Sequence, residues 1–251
     1  MKLYKKKLTT LLLAGMTSLA CAEEKKPNIV FILADDLGYG ELGCYGQEKI
    51  KTPHIDKLAK EGMLFTQHYT GAPVCAPARC VLMTGKHLAH AEIRGNRDSG
   101  NGKKFPGQWP ITAEALTIAE VLKDAGYATG AFGKWGLGYP GSEGDPINQG
   151  FDVFYGFNCQ RLGHHYYPRH LWSNNDSIVI PENAGQKKGV YAPNLIHEHT
   201  LKFIEENKVS HQMSELPKSS KTDLKVFKAI IAAKTMVELP QPVSSSQFIS
   251  L

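Results

Sequence analysis

Apolar positions along the chain alternate between short continuous runs and amphipathic stretches. Asn28 to Ala34 is a continuous apolar run entered from Pro27, the pattern of a strand buried on both faces. Thr52 to Gly62 reads as a helix that Thr52 caps, Pro53 opens and Gly62 stops. Met63 to Tyr69 reads as a second strand. Thr117-Ile118-Ala119-Glu120 is a capping box opening a helix that Gly126 closes. Tyr127 to Phe132 follows as a third buried strand, ending in Gly133-Lys134. Asn194 to Lys208 is an amphipathic helix with Leu195, Ile196, Phe203 and Ile204 on its inner face. A strand should come next, yet 209–222 is polar, Asp223 to Glu238 reads as a helix capped by Asp223, and Pro240 to Leu251 is rich in Pro and Ser. Strands alternating with helices predict an α/β fold, a largely parallel central sheet with helices on both faces.

Composition changes this picture little. The 251 residues, 42% hydrophobic and 21% charged, are those of an ordinary globular chain with one sizeable core. The formal charge of +5 owes four units to Lys2, Lys5, Lys6 and Lys7, and the rest of the chain carries +1. No basic stripe points to nucleic acid, and nothing after residue 22 is apolar for long enough to span a membrane. Those lysines precede the apolar run Leu11 to Ala20 and then Ala20-Cys21-Ala22, so 1–22 reads as a secretory signal peptide cut after Ala22. The expectation is an exported chain, periplasmic or secreted. The alternative is a lipoprotein acylated at Cys21, which Ser18 at the usual leucine position disfavours. Cys44, Cys75, Cys80 and Cys159 remain, an even count that in an exported protein suggests disulfides without fixing their pairing.

Three places carry candidate chemistry. The first strand ends in Asp35-Asp36, and adjacent carboxylates at a strand's carboxyl end suit a hard divalent cation such as Ca²⁺ or Mg²⁺. A solvated turn is the plainer reading of that dipeptide. In Cys75-Ala76-Pro77-Ala78-Arg79-Cys80-Val81-Leu82-Met83-Thr84-Gly85, Pro77 suits a helix's first turn, placing Cys75 where free N–H groups and the helix dipole favour an anion. Arg79, one turn on, returns to the same face. A C-x-P-x-R on its own fits a helix start with a buried thiol equally well. Lys134 closes the third strand, apt for an anionic oxygen, and a surface lysine is the alternative.

The eleven residues from Cys75 resemble the signature of the type I, formylglycine-dependent sulfatases. Gly126 to Lys134 resembles that family's second signature, and Asp35-Asp36 its first metal-ligand pair. The resemblance implies the alkaline-phosphatase-like fold and oxidation of Cys75 to formylglycine, whose hydrate would attack sulfur. It also implies a Ca²⁺ (or Mg²⁺) held by Asp35, Asp36 and the modified Cys75, with Arg79 and Lys134 stabilising the sulfate. Conversion of Cys75 would leave an odd number of thiols. Where the commonest pattern has a histidine two residues after the lysine, this chain has Gly136. Some members that this chain resembles share that glycine and carry a later histidine-rich segment, here Gln160 to Trp172, which makes His164, or else His165, the expected acid–base group, with aromatic and histidine packing in a loop as the alternative.

The pattern of resemblance runs from about Pro27 to about Lys208. The chain therefore reads as a signal peptide (1–22), a sulfatase N-terminal catalytic region (23–208) and an atypical polar and helical tail (209–251). The distal metal and sulfate ligands and some central strands are expected to be missing. The expected activity is sulfuric ester hydrolysis, arylsulfatase-like, on a sulfated small molecule or glycan, after maturation by a formylglycine-generating enzyme. The rivals are a phosphodiesterase or phosphonate hydrolase of the same superfamily, and an inactive fragment.

Overall fold

A computed structural model describes residues 26–97, 108–207 and 230–233, the last as backbone. The leader with Cys21, and the tail apart from 230–233, lie outside the described residues. Six strands form one sheet: β1 (Val30–Leu33), β2 (Gly130–Lys134), β3 (Val153–Phe157), β4 (His170–Ser173), β5 (Asp176–Val179) and β6 (Ile230–Ala233). Their order is β1-β6-β2-β3-β4-β5. The pairs β1–β6, β6–β2 and β2–β3 are parallel, while β3–β4 and β4–β5 are antiparallel. Among the described residues five α-helices accompany the sheet: α1 (Pro53–Glu61), α2 (Cys75–Thr84), α3 (Ile118–Asp124), α4 (Gln160–Gly163) and α5 (Ala192–Asn207).

Alternation along the strands sorts side chains to the two faces. Ala131, Phe154 and Trp172 turn to one face, where α2 and α3 bury Ala76, Cys80, Met83 and Ala119. Phe132, Tyr155, Phe157 and Leu171 turn to the other and meet Ala192, Ile196, Phe203 and Ile204 of α5. Phe132 and Phe203 are 5.5 Å apart between ring centroids, within the range of favourable aromatic pairs. The sheet is thus covered on both faces, as expected for an α/β fold. Three of its five strand pairs are parallel, as expected, and its β3–β5 end is antiparallel, which makes the sheet mixed.

Local signals explain the helices. Thr117 Oγ1 accepts the Glu120 N–H while the Glu120 carboxylate accepts the Thr117 N–H at 2.8 Å, the capping box expected from sequence. Pro53 opens α1 as expected, but α1 buries none of its residues and Leu58 is 62% exposed.

Three expectations are corrected. Met63–Tyr69 is irregular, not a strand: β6 takes the inner side of β1, the segment joins no ladder, and Met63, Phe65 and Tyr69 stay exposed. Residues 230–233, inside the stretch read as a helix, form β6. This strand fills the centre of the sheet between β1 and β2, where a strand was expected to be missing. β1 is an outer strand of the described sheet and is half-buried rather than buried on both faces.

Candidate active site

The segment after β1 and the N-terminus of α2 line one cleft, and Lys134 at the carboxyl end of β2 reaches its edge by pairing with Asp35, in keeping with the placement of ligand sites in α/β sheets. The cleft, about 180 Å³ in volume, is lined among others by Asp35, Asp36, Val74, Cys75, Arg79 and Asn96. Asp35 and Asp36 follow β1 directly, and Asp36 takes a left-handed backbone (φ 59°) that aspartate tolerates better than most residues. Cys75 is the first residue of α2, half-buried. Pro77 lies in the first turn, and Arg79, one turn later, is buried on the same wall.

Three of the sequence-derived residues are physically linked. Lys134 Nζ pairs with Asp35 Oδ2 at 2.8 Å, with 2% and 11% of the two side chains exposed. Arg79 Nη1 donates to the main-chain oxygen of Lys134. Arg79 Nε is buried with no partner. Burial pushes the Arg79 guanidinium below its ordinary pKa, and the negative charges of Asp35, Cys75 and Asp36 work against that shift.

The N–H groups at the start of α2 are mostly spoken for. Ala76 N–H donates to Asn96 Oδ1 at 3.0 Å, Pro77 has none, and Ala78 N–H donates to Val74 O at 3.0 Å. Among the described residues this leaves the N–H of Cys75 itself. Anion binding here therefore rests more on the side chains than on the helix terminus.

Two residues at the site were missed. Asn96 has no role assigned from the sequence, and its bond from the Ala76 N–H and its place on the cleft wall reveal it. Tyr166 lies in the histidine-rich segment, where attention falls on the imidazoles. Burial raises its pKa, and the negative charges of Asp35 and Asp36 raise it further. His164 follows α4 as an exposed residue and does not line the cleft. Its neighbour Gly163 packs on the Lys134 stem: a Cβ on Gly163 would come 2.6 Å from Lys134 Cδ.

The donors suit the implied groups in kind. Asp35 and Asp36 offer the hard oxygens that Ca²⁺ and Mg²⁺ prefer, and supply part of the six to eight that Ca²⁺ takes. No group of three or more His, Cys, Asp or Glu residues arranged for a metal exists among the described residues. Cys75 is a free thiol facing the cleft and so open to modification; Cys44, Cys80 and Cys159 are free as well.

Comparison with known proteins agrees with the geometry. The family model described as Sulfatase matches residues 27–221, reaching past Lys208. Arylsulfatase D of Homo sapiens is 45% identical over 140 residues, covering 52% of this chain and 23% of that protein. N-acetylgalactosamine-6-O-sulfatase of Bacteroides thetaiotaomicron is 41% identical over 170 residues, covering 68% of this chain and 29% of that protein. The solved structure of BT4656 in complex with its substrate D-glucosamine-2-N,6-O-disulfate matches with a TM-score of 0.57 at 25% identity, covering 83% of this chain and 34% of that one. The chain thus spans less than a third of the length of these curated relatives.

Proposed function

The chain belongs to the sulfatase family, and we propose that the cleft between β1 and α2 binds and hydrolyses a sulfuric ester. The observation that carries this reading is Arg79. Arg79 lines the cleft one turn from Cys75, together with two carboxylates suited to a cation, and its buried Nε has no partner. A buried guanidinium is costly, and an anionic sulfate oxygen beside Arg79 would offset that cost by charge and a charge-assisted bond. Lys134 approaches the same place from β2, and on releasing Asp35 its ammonium can hold a second sulfate oxygen.

A formylglycine made from Cys75 would supply the nucleophile as its hydrate. A Ca²⁺ ion, or Mg²⁺, held by Asp35, Asp36 and residue 75 would bind sulfate oxygens and lower the pKa of the attacking hydroxyl. His164 is the proposed proton donor to the leaving alcohol, a role that requires it to turn from its exposed position after α4 into the cleft. A sulfated sugar is the proposed substrate class, supported by the N-acetylgalactosamine-6-O-sulfatase relative and by BT4656 with its disulfated glucosamine. The basic-then-apolar leader supports export, and maturation requires a formylglycine-generating enzyme. No helix among the described residues is long and apolar enough to cross a membrane.

The test is selectivity. With 4-nitrophenyl sulfate and 4-nitrophenyl phosphate under the same conditions, sulfate release should dominate. Dominant phosphate release would overturn the reading in favour of the phosphoesterase rival.

A further inference from the structure

Gln160, the first residue of α4, takes no part in the chemistry described so far, yet it is 5% exposed and its Oε1 is buried without a partner. A helix of four residues cannot hold itself together by propensity and must be fastened by contacts outside it. α4 is fastened at both ends. At its start, the Gln160 carboxamide fills a notch at Gly136. That residue is left-handed (φ 78°), and a Cβ on it would lie 1.8 Å from Gln160 Nε2. The same nitrogen reaches Gly136 O at 3.4 Å; with the amide reversed, two oxygens would face each other. The Gln160 N–H donates at 2.9 Å to Oε1 of buried Gln108, which holds the wedge from behind. At the end of α4, Gly163 lies against the Lys134 stem, where a Cβ would meet Cδ at 2.6 Å and Cγ at 3.0 Å.

Both fastenings bear on the end of β2, at Lys134 and at Gly136 just beyond it. The notch is two positions after Lys134, and the far end of α4 covers the Lys134 methylenes. Beyond them, the ammonium reaches Asp35 at 2.8 Å. Lysine carries a flexible four-carbon stem, so the direction of its charge depends on what encloses that stem.

We infer that Gln160 is a positioning residue for Lys134: its amide, seated in the notch at Gly136, holds α4 on the lysine stem and so fixes the ammonium against Asp35 at the edge of the cleft. Residues 136 and 160 then compete for one volume. A side chain at 136, such as the histidine of the commonest family pattern, and a seated glutamine at 160 exclude one another. The inference rests on the proposed function only in taking Lys134 as the cation of the site.

The test needs no turnover. Brief acetylation of the folded chain, read by mass spectrometry at each lysine, measures how often Lys134 is uncovered. Gln160→Ala should raise Lys134 modification about tenfold, as expected when a local opening becomes easier, while the exposed Lys57 and Lys123 stay unchanged. Gln160→Met, which keeps length and shape, should restore most of the protection. Gly136→Ala, which evicts the amide, should uncover Lys134 as Gln160→Ala does. Unchanged Lys134 modification in Gln160→Ala and Gly136→Ala, or an equal rise at every lysine, would overturn the inference. Absent sulfate release with this pattern intact would count against the proposed function alone.

Discussion

The Lys134–Asp35 pair makes a prediction that reaches beyond itself. Both side chains are nearly dry, and breaking a buried pair from one side costs roughly 3–5 kcal/mol because the other charge is left uncompensated. The two halves are not equivalent. Asp35 also feels Arg79, whereas the negative charges at Asp35 hold two buried cations in place. Lys134→Met should therefore cost about 3 kcal/mol, because Arg79 still balances the carboxylate. Asp35→Asn should cost about 5 kcal/mol, because Lys134 and Arg79 are left facing each other. The smaller loss corresponds to a fall in Tm of about 6–12 °C for a chain of this size. Urea unfolding, followed by the fluorescence of buried Trp135 and Trp172, measures both variants. The double variant Lys134→Met/Asp35→Leu should recover a substantial part of the loss, since a dry apolar pair often replaces a buried ion pair at little cost. Single-variant losses below about 1 kcal/mol, the value of an exposed pair, or a larger loss for Lys134→Met than for Asp35→Asn, would refute the reasoning.

Three shorter predictions follow from the same geometry. Excess Ca²⁺ should return about 2–3 kcal/mol to Lys134→Met at a hundredfold excess over its Kd, and nothing comparable to Asp35→Asn, as read by a thermal melt. Asn96→Ala should cost about 1 kcal/mol and speed hydrogen exchange at the Ala76 amide, because a first-turn N–H loses its acceptor; unchanged exchange would refute it. Asp152 is held below the usual carboxylate range: burial opposes this, but bonds from Lys123 and from the Thr129 N–H and hydroxyl outweigh it. The resulting stability is present above the unfolded value near 3.8 and is lost as pH falls through the lower folded value. Because the carboxylate is partly exposed, Asp152→Asn should cost only about 1 kcal/mol at pH 7, and the two chains should converge in acid. A constant gap across pH would contradict the assignment.

Much of the site could be read from local pattern, because its parts are set by short-range rules. A proline two residues after Cys75 marks a helix start, an apolar run ending in Asp35-Asp36 marks a strand's carboxyl end, and Lys134 closes the next such run. The rest depends on contacts distant in sequence. Ile230-Ile231-Ala232-Ala233 is too short for its period to separate strand from helix, and its slot between β1 and β2 is fixed by pairing with residues about a hundred or more positions away. Met63–Tyr69 has strand-like composition, but strand propensity is realised only when a partner strand pairs with it, and this segment joins no ladder among the described residues. Gly136 is visible as a departure from the family pattern, while its reason, the amide of Gln160, appears only once β2 and α4 are in contact. The same holds for Tyr166, whose nearness to Asp35 and Asp36 comes from the path of the chain between α4 and β4.

The most direct test of the central claim is sulfate release from 4-nitrophenyl sulfate with Ca²⁺ present, by this chain co-expressed with a formylglycine-generating enzyme. Mass spectrometry would confirm the aldehyde at residue 75, and Cys75→Ala would be measured beside it. The account predicts release that disappears in Cys75→Ala. Release that persists in that variant, or none from a folded chain carrying the confirmed aldehyde, would contradict it.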